Sequence, residues 1–259
     1  AGMQQVVGDS LPKYNAQIDL ENFNLGKMLQ QEEQIGYISL SASAIGEGLE
    51  LDVMNADITA DVKSLELMGY EYRDAKVNGT IADQAFLGEI TMDDDAIAFT
   101  FKGKAGLDID HPEHNFNLDI TYLDLQELNL YDQELKFAGN IAGNFTGNDL
   151  RSMNGHIAVT GATVAARDQL LTLDSIELLA TSIEGKYDWK LRSPVVDANY
   201  RGTASATVGI PMLVNHFNYY FNRQAYREAD TLGSQQFDFD VSIHDNMDVL
   251  PFFVSGLNE

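Results

Sequence analysis

The chain has 259 residues, 44% of them hydrophobic, which is enough for a sizeable core and excludes compositional disorder. Sixteen Lys and Arg stand against forty Asp and Glu, a formal net charge of −24, so no nucleic-acid partner is expected and basic-patch binding to anionic headgroups is disfavoured. Cysteine is absent, no apolar run approaches the ~18–20 residues of a membrane-spanning helix, and no signal peptide is visible.

The dominant pattern along the chain is alternation with period two, the mark of strands with one buried face. A short helical turn is possible at Leu25–Gln30. Ile38, Leu40, Ala42 and Ala44 then alternate with serines, and Ala56, Ile58, Ala60 and Val62 with polar residues. The phase slips between Val62 and Leu65, which predicts a bulge or a new strand. Further runs are Ile97, Phe99 and Phe101; Phe116, Leu118, Ile120 and Tyr122; Leu135, Phe137, Ile141 and Phe145; and Phe237, Phe239, Val241 and Ile243. Turn signals separate them at Asn78-Gly79, Asp93-Asp94-Asp95, His111-Pro112-Glu113, Gly147-Asn148-Asp149 and Ser193-Pro194. A second helical turn is possible at Asp149–Met153, and the best helix runs from Pro211 to about Asn222, with Pro211 in its first turn. The count is roughly fifteen strands, in an antiparallel sheet with one wet face.

The sequence also repeats. Met54-Asn55 and Met153-Asn154 stand 99 residues apart, as do Phe101-Lys102-Gly103 and Tyr200-Arg201-Gly202. This predicts a first module over 1–122 and a second over 123–259 that carries the helix and closing strands. Strands continue through the joint without a Pro- or Ser-rich linker, so one continuous sheet fits better than two tandem sandwiches. The fold expected is all-β: a long antiparallel sheet curled into a trough, its apolar face inside, with one short helix near 211–222. Its lining would be Ile38, Leu40, Ile58, Val62, Ile97, Phe99, Phe101, Phe116, Leu118, Ile120, Phe137, Ile157 and Val159. The alternative is that these side chains fill a closed, dry core of their own.

The texture of short alternating strands with Gly46-Glu-Gly48-Leu49 before Met54-Asn55, and Gly147-Asn-Asp-Leu150 before Met153-Asn154, resembles the AsmA-like superfamily. Within it the chain is most similar to the TamB (translocation and assembly module) family of Bacteroidetes-type bacteria. Pro211-Met-Leu-Val-Asn-His-Phe-Asn-Tyr-Tyr-Phe221, followed by Phe237-Asp-Phe-Asp-Val241, adds to the likeness. The resemblance implies an internal piece of a long periplasmic protein of a Gram-negative bacterium, anchored in the inner membrane. Such a protein would hold phospholipid or other acyl chains in its groove and meet an Omp85-type outer-membrane barrel. No enzyme activity, cofactor or metal is implied.

Catalytic signals are weak. His111-Pro-Glu-His114 matches no standard zinc spacing and reads as a solvated turn, while His156 and His216 are isolated. Asp93-Asp94-Asp95 could bind a cation but is ordinary for an acidic turn, and Asp108-Ile-Asp110 and Asp238-Phe-Asp240 read as outward strand carboxylates. The cluster Phe217, Tyr219, Tyr220 and Phe221 could cap a groove end. Two rivals remain: a transmembrane β-barrel, which would show an aromatic girdle, and an extracellular glycan or protein binder, which would carry aromatics on its wet face.

Overall fold

The computed structural model describes residues 11–149, 151–166, 169–221 and 236–244. Thirteen strands follow one another: β1 Lys13–Asn24, β2 Ile35–Glu47, β3 Asn55–Leu67, β4 Tyr70–Ala82, β5 Ala85–Asp93, β6 Ile97–Gly106, β7 Glu113–Asp124, β8 Lys136–Thr146, β9 Asn154–Ala166, β10 Gln169–Ile183, β11 Lys186–Arg192, β12 Val196–Gly202 and β13 Phe237–Ile243. Helix α1, Leu25–Leu29, joins β1 to β2, and α2, Ala206–Phe221, precedes β13. Every strand pairs antiparallel with its neighbours in sequence, giving one curled sheet in the order β1 to β13. At ~4.8 Å per strand the sheet is roughly 58 Å long. It is not closed: β1 and β13 are its two edges, so the described residues form no barrel.

Local chemistry fixes this meander. Three hairpins turn on two residues that both have positive φ, Met68-Gly69, Asp83-Gln84 and Glu184-Gly185, the geometry whose twist matches that of the paired strands. The predicted turn at Asn78-Gly79 is corrected: both residues lie inside β4, where Gly79 pairs with Ile58 and Gly88. The phase slip after Val62 is a bulge. Ser39 pairs with Ser64 and Leu40 with Val62, and β3 continues to Leu67. Slips absorbed in this way, and a single β10 of fifteen residues, leave thirteen strands among the described residues rather than fifteen.

Strand starts recur at a spacing of 99 to 101 residues, with Asn55 opening β3 and Asn154 opening β9 at 99. Extra residues fall at matching places too, between Leu20 and Phe23 in β1 and between Ile120 and Leu123 in β7. Residues 122 and 123, where the sequence predicts the joint, both lie within β7, which pairs with β6 and β8. That bulge also takes Tyr122 out of the apolar phase, opposite Ala98, and brings Leu123 in opposite Ile97.

Helix α2 starts five residues earlier than predicted. The Val208 and Gly209 N–H groups donate to the Ser205 carbonyl, so the helix nucleates there. Pro211 falls inside it and removes one backbone donor. Asp149–Met153 is a turn, in which the Asp149 carboxylate accepts from the Arg151 and Ser152 N–H groups.

A candidate apolar groove

Register turns the alternation into rows that run along the whole sheet. One row passes through Ala16, Ala44, Ile58, Gly79, Gly88, Gly103, Phe116, Gly143, Ile157, Leu178, Leu191, Ala198 and Val241, one residue from each strand, with no polar side chain. A neighbouring row on the other face passes through Asp19, Ser41, Asp61, Lys76, Thr91, Thr100, Asp119, Asn140, Thr160 and Ser175, all polar. Because adjacent strand residues point to opposite faces, the sheet has a dry side and a wet side throughout.

All thirteen predicted lining residues lie on the dry side. Leu40 pairs with Val62, Phe99 with Ile120, Phe101 with Leu118, and Ile141 with Val159. Ile38 pairs with Leu65 and Ile97 with Leu123, which leads on to Phe137. Ile58, Phe116 and Ile157 belong to the long row itself. Only Ile38 and Ile120 are buried; the other eleven are half-buried. A closed core would remove such side chains from water entirely. Among the described residues, the cluster of buried side chains formed by Ala162, Leu171 and Leu173 against Phe137, Val159, Val164 and Ile176 is confined to β8–β10 apart from a contact with Val195.

The floor of the dry side is built from rings laid over glycine. Phe86 lies against Gly79 and Gly88: a Cβ on either glycine would come within 2.7 Å of the ring. Phe116 covers Gly143 in the same way. The rings form a ladder, with Phe101 5.4 Å from Phe116 and 6.4 Å from Phe86, and Phe145 6.2 Å from Phe116. Glycine lets the rings approach the backbone, so the middle strands present a low aromatic surface. Sequence reasoning missed Phe86 and this pairing. Its signal was there in the glycines at 79, 88, 103 and 143, each in the apolar phase of its strand.

Toward β12 the dry side is covered from within the chain. Tyr200 is 3% exposed and its hydroxyl donates to the Ala204 carbonyl at 2.6 Å, just before α2. Gly209 of α2 sits so close to the Tyr200 ring that no side chain would fit there. Burial raises the Tyr200 phenol above its ordinary range. Trp189, the only tryptophan, pairs with Tyr200 on the same side.

The polar candidates are held apart or used structurally. Glu113 and His114 are neighbours on β7 and so face opposite ways. Glu113 accepts from Lys104 at 2.8 Å, while the His114 ring lies 4.8 Å from Phe145 and burial lowers its pKa. Asp94 is buried and accepts from the Tyr70 hydroxyl at 2.5 Å and from the Arg73 and Ala96 N–H groups. Burial and that bond hold the Tyr70 phenol far above its usual value. Asp108 and Asp110 are corrected from strand to connection: the Asp110 N–H donates to the Asp108 carboxylate between β6 and β7. Asp238 and Asp240 do lie on β13, opposite Arg201 and Asn199 on the wet side. His156 is half-buried on β9. The side chains of His216, Phe217, Tyr219, Tyr220 and Phe221 lie outside the described residues. Among the described residues, no three His, Asp or Glu gather as a metal site would need, and no helix is long and apolar enough to cross a membrane.

Shallow concavities mark the wet side, among them one of about 560 Å³ around Asp188, Arg201 and Asp238, one of about 480 Å³ around Ser43, Thr59 and Asp61, and one of about 350 Å³ around Lys190, Asn199 and Asp240. No protein-family profile, no curated protein and no solved structure matches this chain.

Proposed function

We propose that this chain is a non-enzymatic segment of a periplasm-spanning, AsmA/TamB-like envelope protein whose apolar groove holds lipid acyl chains, in phospholipid transport and outer-membrane biogenesis. The observation that carries this reading is the row of thirteen residues, one per strand, without a polar side chain. A conduit has to solvate a chain evenly, because a deep trap would stop it from moving on. Each CH₂ that leaves water gains about 0.8 kcal/mol wherever the surface is apolar, and a row without polar anchors gives that gain evenly along its length. The chemistry is solvation, so the reading requires neither cofactor nor catalytic residue. Its partners are phospholipid and, through a longer parent, an Omp85-type outer-membrane barrel.

The test is photo-crosslinking in cells, with the reactive residue at Phe99 or at Thr100. Phe99 faces Ile120 and Met92 on the dry side, whereas Thr100 faces Asp119 and Thr91 on the wet side. Phospholipid captured at position 99 and absent at position 100 is expected. Capture at neither, with position 99 joined only to protein, would sink the reading.

A further inference from the structure

We infer that the groove discriminates lipids by headgroup charge, holding amine-bearing zwitterionic diacyl lipids and excluding those with a net negative headgroup. This rests on the acyl-chain reading above and adds to it the chemistry of the polar end. The dry rows contain no charge, so a lipid lying there must place its headgroup at the rims, where strands end and connections begin.

The rims are acidic. Exposed Glu33, Asp95 and Asp132 stand in connections at one rim, and exposed Asp83, Asp110 and Glu184 in connections at the other. Most cations near strand ends already face a partner, and the exposed Lys27 and Lys186 stand at opposite rims and so do not converge. Lys13 pairs with Glu47, Arg73 with Glu71, Lys104 with Glu113, Lys136 with Asp124 and Glu134, Arg151 with Asp149, and Arg201 with Asp188. Arg192 donates to the Leu191 and Ala198 carbonyls and to Asn199. Binding a phosphate monoanion calls for converging Lys or Arg donors. Here most such donors would first have to leave a carboxylate, in a chain whose charge is −24. A zwitterionic headgroup instead offers an ammonium that the rim carboxylates attract, which offsets the repulsion of its phosphate.

The experiment incubates the 259-residue chain with vesicles of equal parts ethanolamine-headed and glycerol-headed phospholipid carrying identical acyl chains. The protein is then separated, and the lipid it carries is quantified by mass spectrometry. Enrichment of the ethanolamine lipid by about fivefold is expected at low salt, the factor that one like charge at contact distance in water corresponds to. It should shrink toward parity near 1 M salt, where screening acts within ~3 Å. The combined variant Glu33→Lys, Asp110→Lys and Asp132→Lys alters only exposed connection side chains and should at least halve the enrichment with an unchanged circular dichroism spectrum. Equal capture of both lipids at low salt, or preference for the anionic one, would overturn the headgroup inference while leaving the groove reading intact. Capture of neither lipid would overturn both.

Discussion

The first six strands and the next six share a backbone plan but not a floor. At the start of each module's long connection, a polar side chain caps the chain as it leaves a strand. The Asn24 side chain accepts from the Lys27 N–H, and Asp124 accepts from the Gln126 and Glu127 N–H groups. Near the end of each module, an acceptor side chain closes a tight turn: Asp94 takes the Ala96 N–H, and Ser193 takes those of Val195 and Val196. The floors diverge. Ala42, Ala44, Ala56 and Ala60 line the first strands, whereas Leu178, Trp189 and Tyr200 line the last. Caps, turns and bulges therefore specify the sheet, and side-chain volume on the dry side is free to set how deep the groove is at each point.

The sharpest way to break the comparison is to truncate matched rings. Phe101 and Tyr200 stand 99 residues apart in sequence and at like places on β6 and β12. Tyr200 is buried under the start of α2, while Phe101 is half-buried with the groove above it. Tyr200→Ala should cost about 3–5 kcal/mol, as ring deletions in packed cores do. Phe101→Ala should cost roughly half as much, because part of that ring is already in water. Urea unfolding of both variants decides this. Equal losses would mean that the first module is packed as tightly as the second.

The sheet was legible in the sequence because alternation reports directly on which face is dry, and bulges preserve that phase across irregular points. Val62 to Leu65 is such a point, and the slip was visible. What misled was glycine. Asn78-Gly79 has the composition of a hairpin turn, yet Gly79 is in a strand to make room for Phe86 from the next one, a contact with no local signature. The turn at Asp83-Gln84 went unseen because only Asp83 is a favoured turn residue. Helix α2 was placed late because Pro211 was read as a start, whereas the capping carbonyl of Ser205 lies six residues upstream. The lining residues followed from phase alone, but their partial burial depends on how the sheet curls and on what α2 covers, and both are long-range.

A second contrast separates the two caps by pH. Asn24 does not titrate. Asp124 is buried, which by itself would raise its pKa, but the Glu127 N–H, the Lys136 ammonium and the Gln126 N–H outweigh burial and hold it below the usual carboxylate range. A carboxylate depressed in the folded state adds stability above its unfolded pKa of ~3.9, and that stability is lost as pH falls through the lower folded value. Asp124→Asn should therefore cost about 1–2 kcal/mol at pH 7, the range for a charge-assisted buried cap. The gap should narrow progressively as pH falls below about 4, while a change at Asn24 should show no such narrowing. Denaturation midpoints across pH 2–7 check this, and a gap that does not narrow as pH falls below about 4 would show that Asp124 acts through shape and not charge.

The smallest expected effect compares two hairpins. The β4–β5 turn holds Gln84 at φ 54°, where a side chain is crowded by its own backbone. The β10–β11 turn meets the same demand with Gly185 at φ 73°, with no neighbouring atom close enough to need the space. Gln84→Gly should stabilise the chain by about 1 kcal/mol, since relief of the left-handed strain exceeds the added freedom of the unfolded chain. Gly185→Gln should destabilise by a similar amount. The two variants, followed by thermal unfolding, should move in opposite directions. Movement in the same direction would mean that one turn is held in its geometry by something beyond its own two residues, most directly by the Leu107 N–H that donates to the Gln84 carbonyl at 2.7 Å. That bond ties the β4–β5 turn to the strand end after β6, and a backbone anchor of this kind would keep Gln84 left-handed and limit the gain that glycine brings.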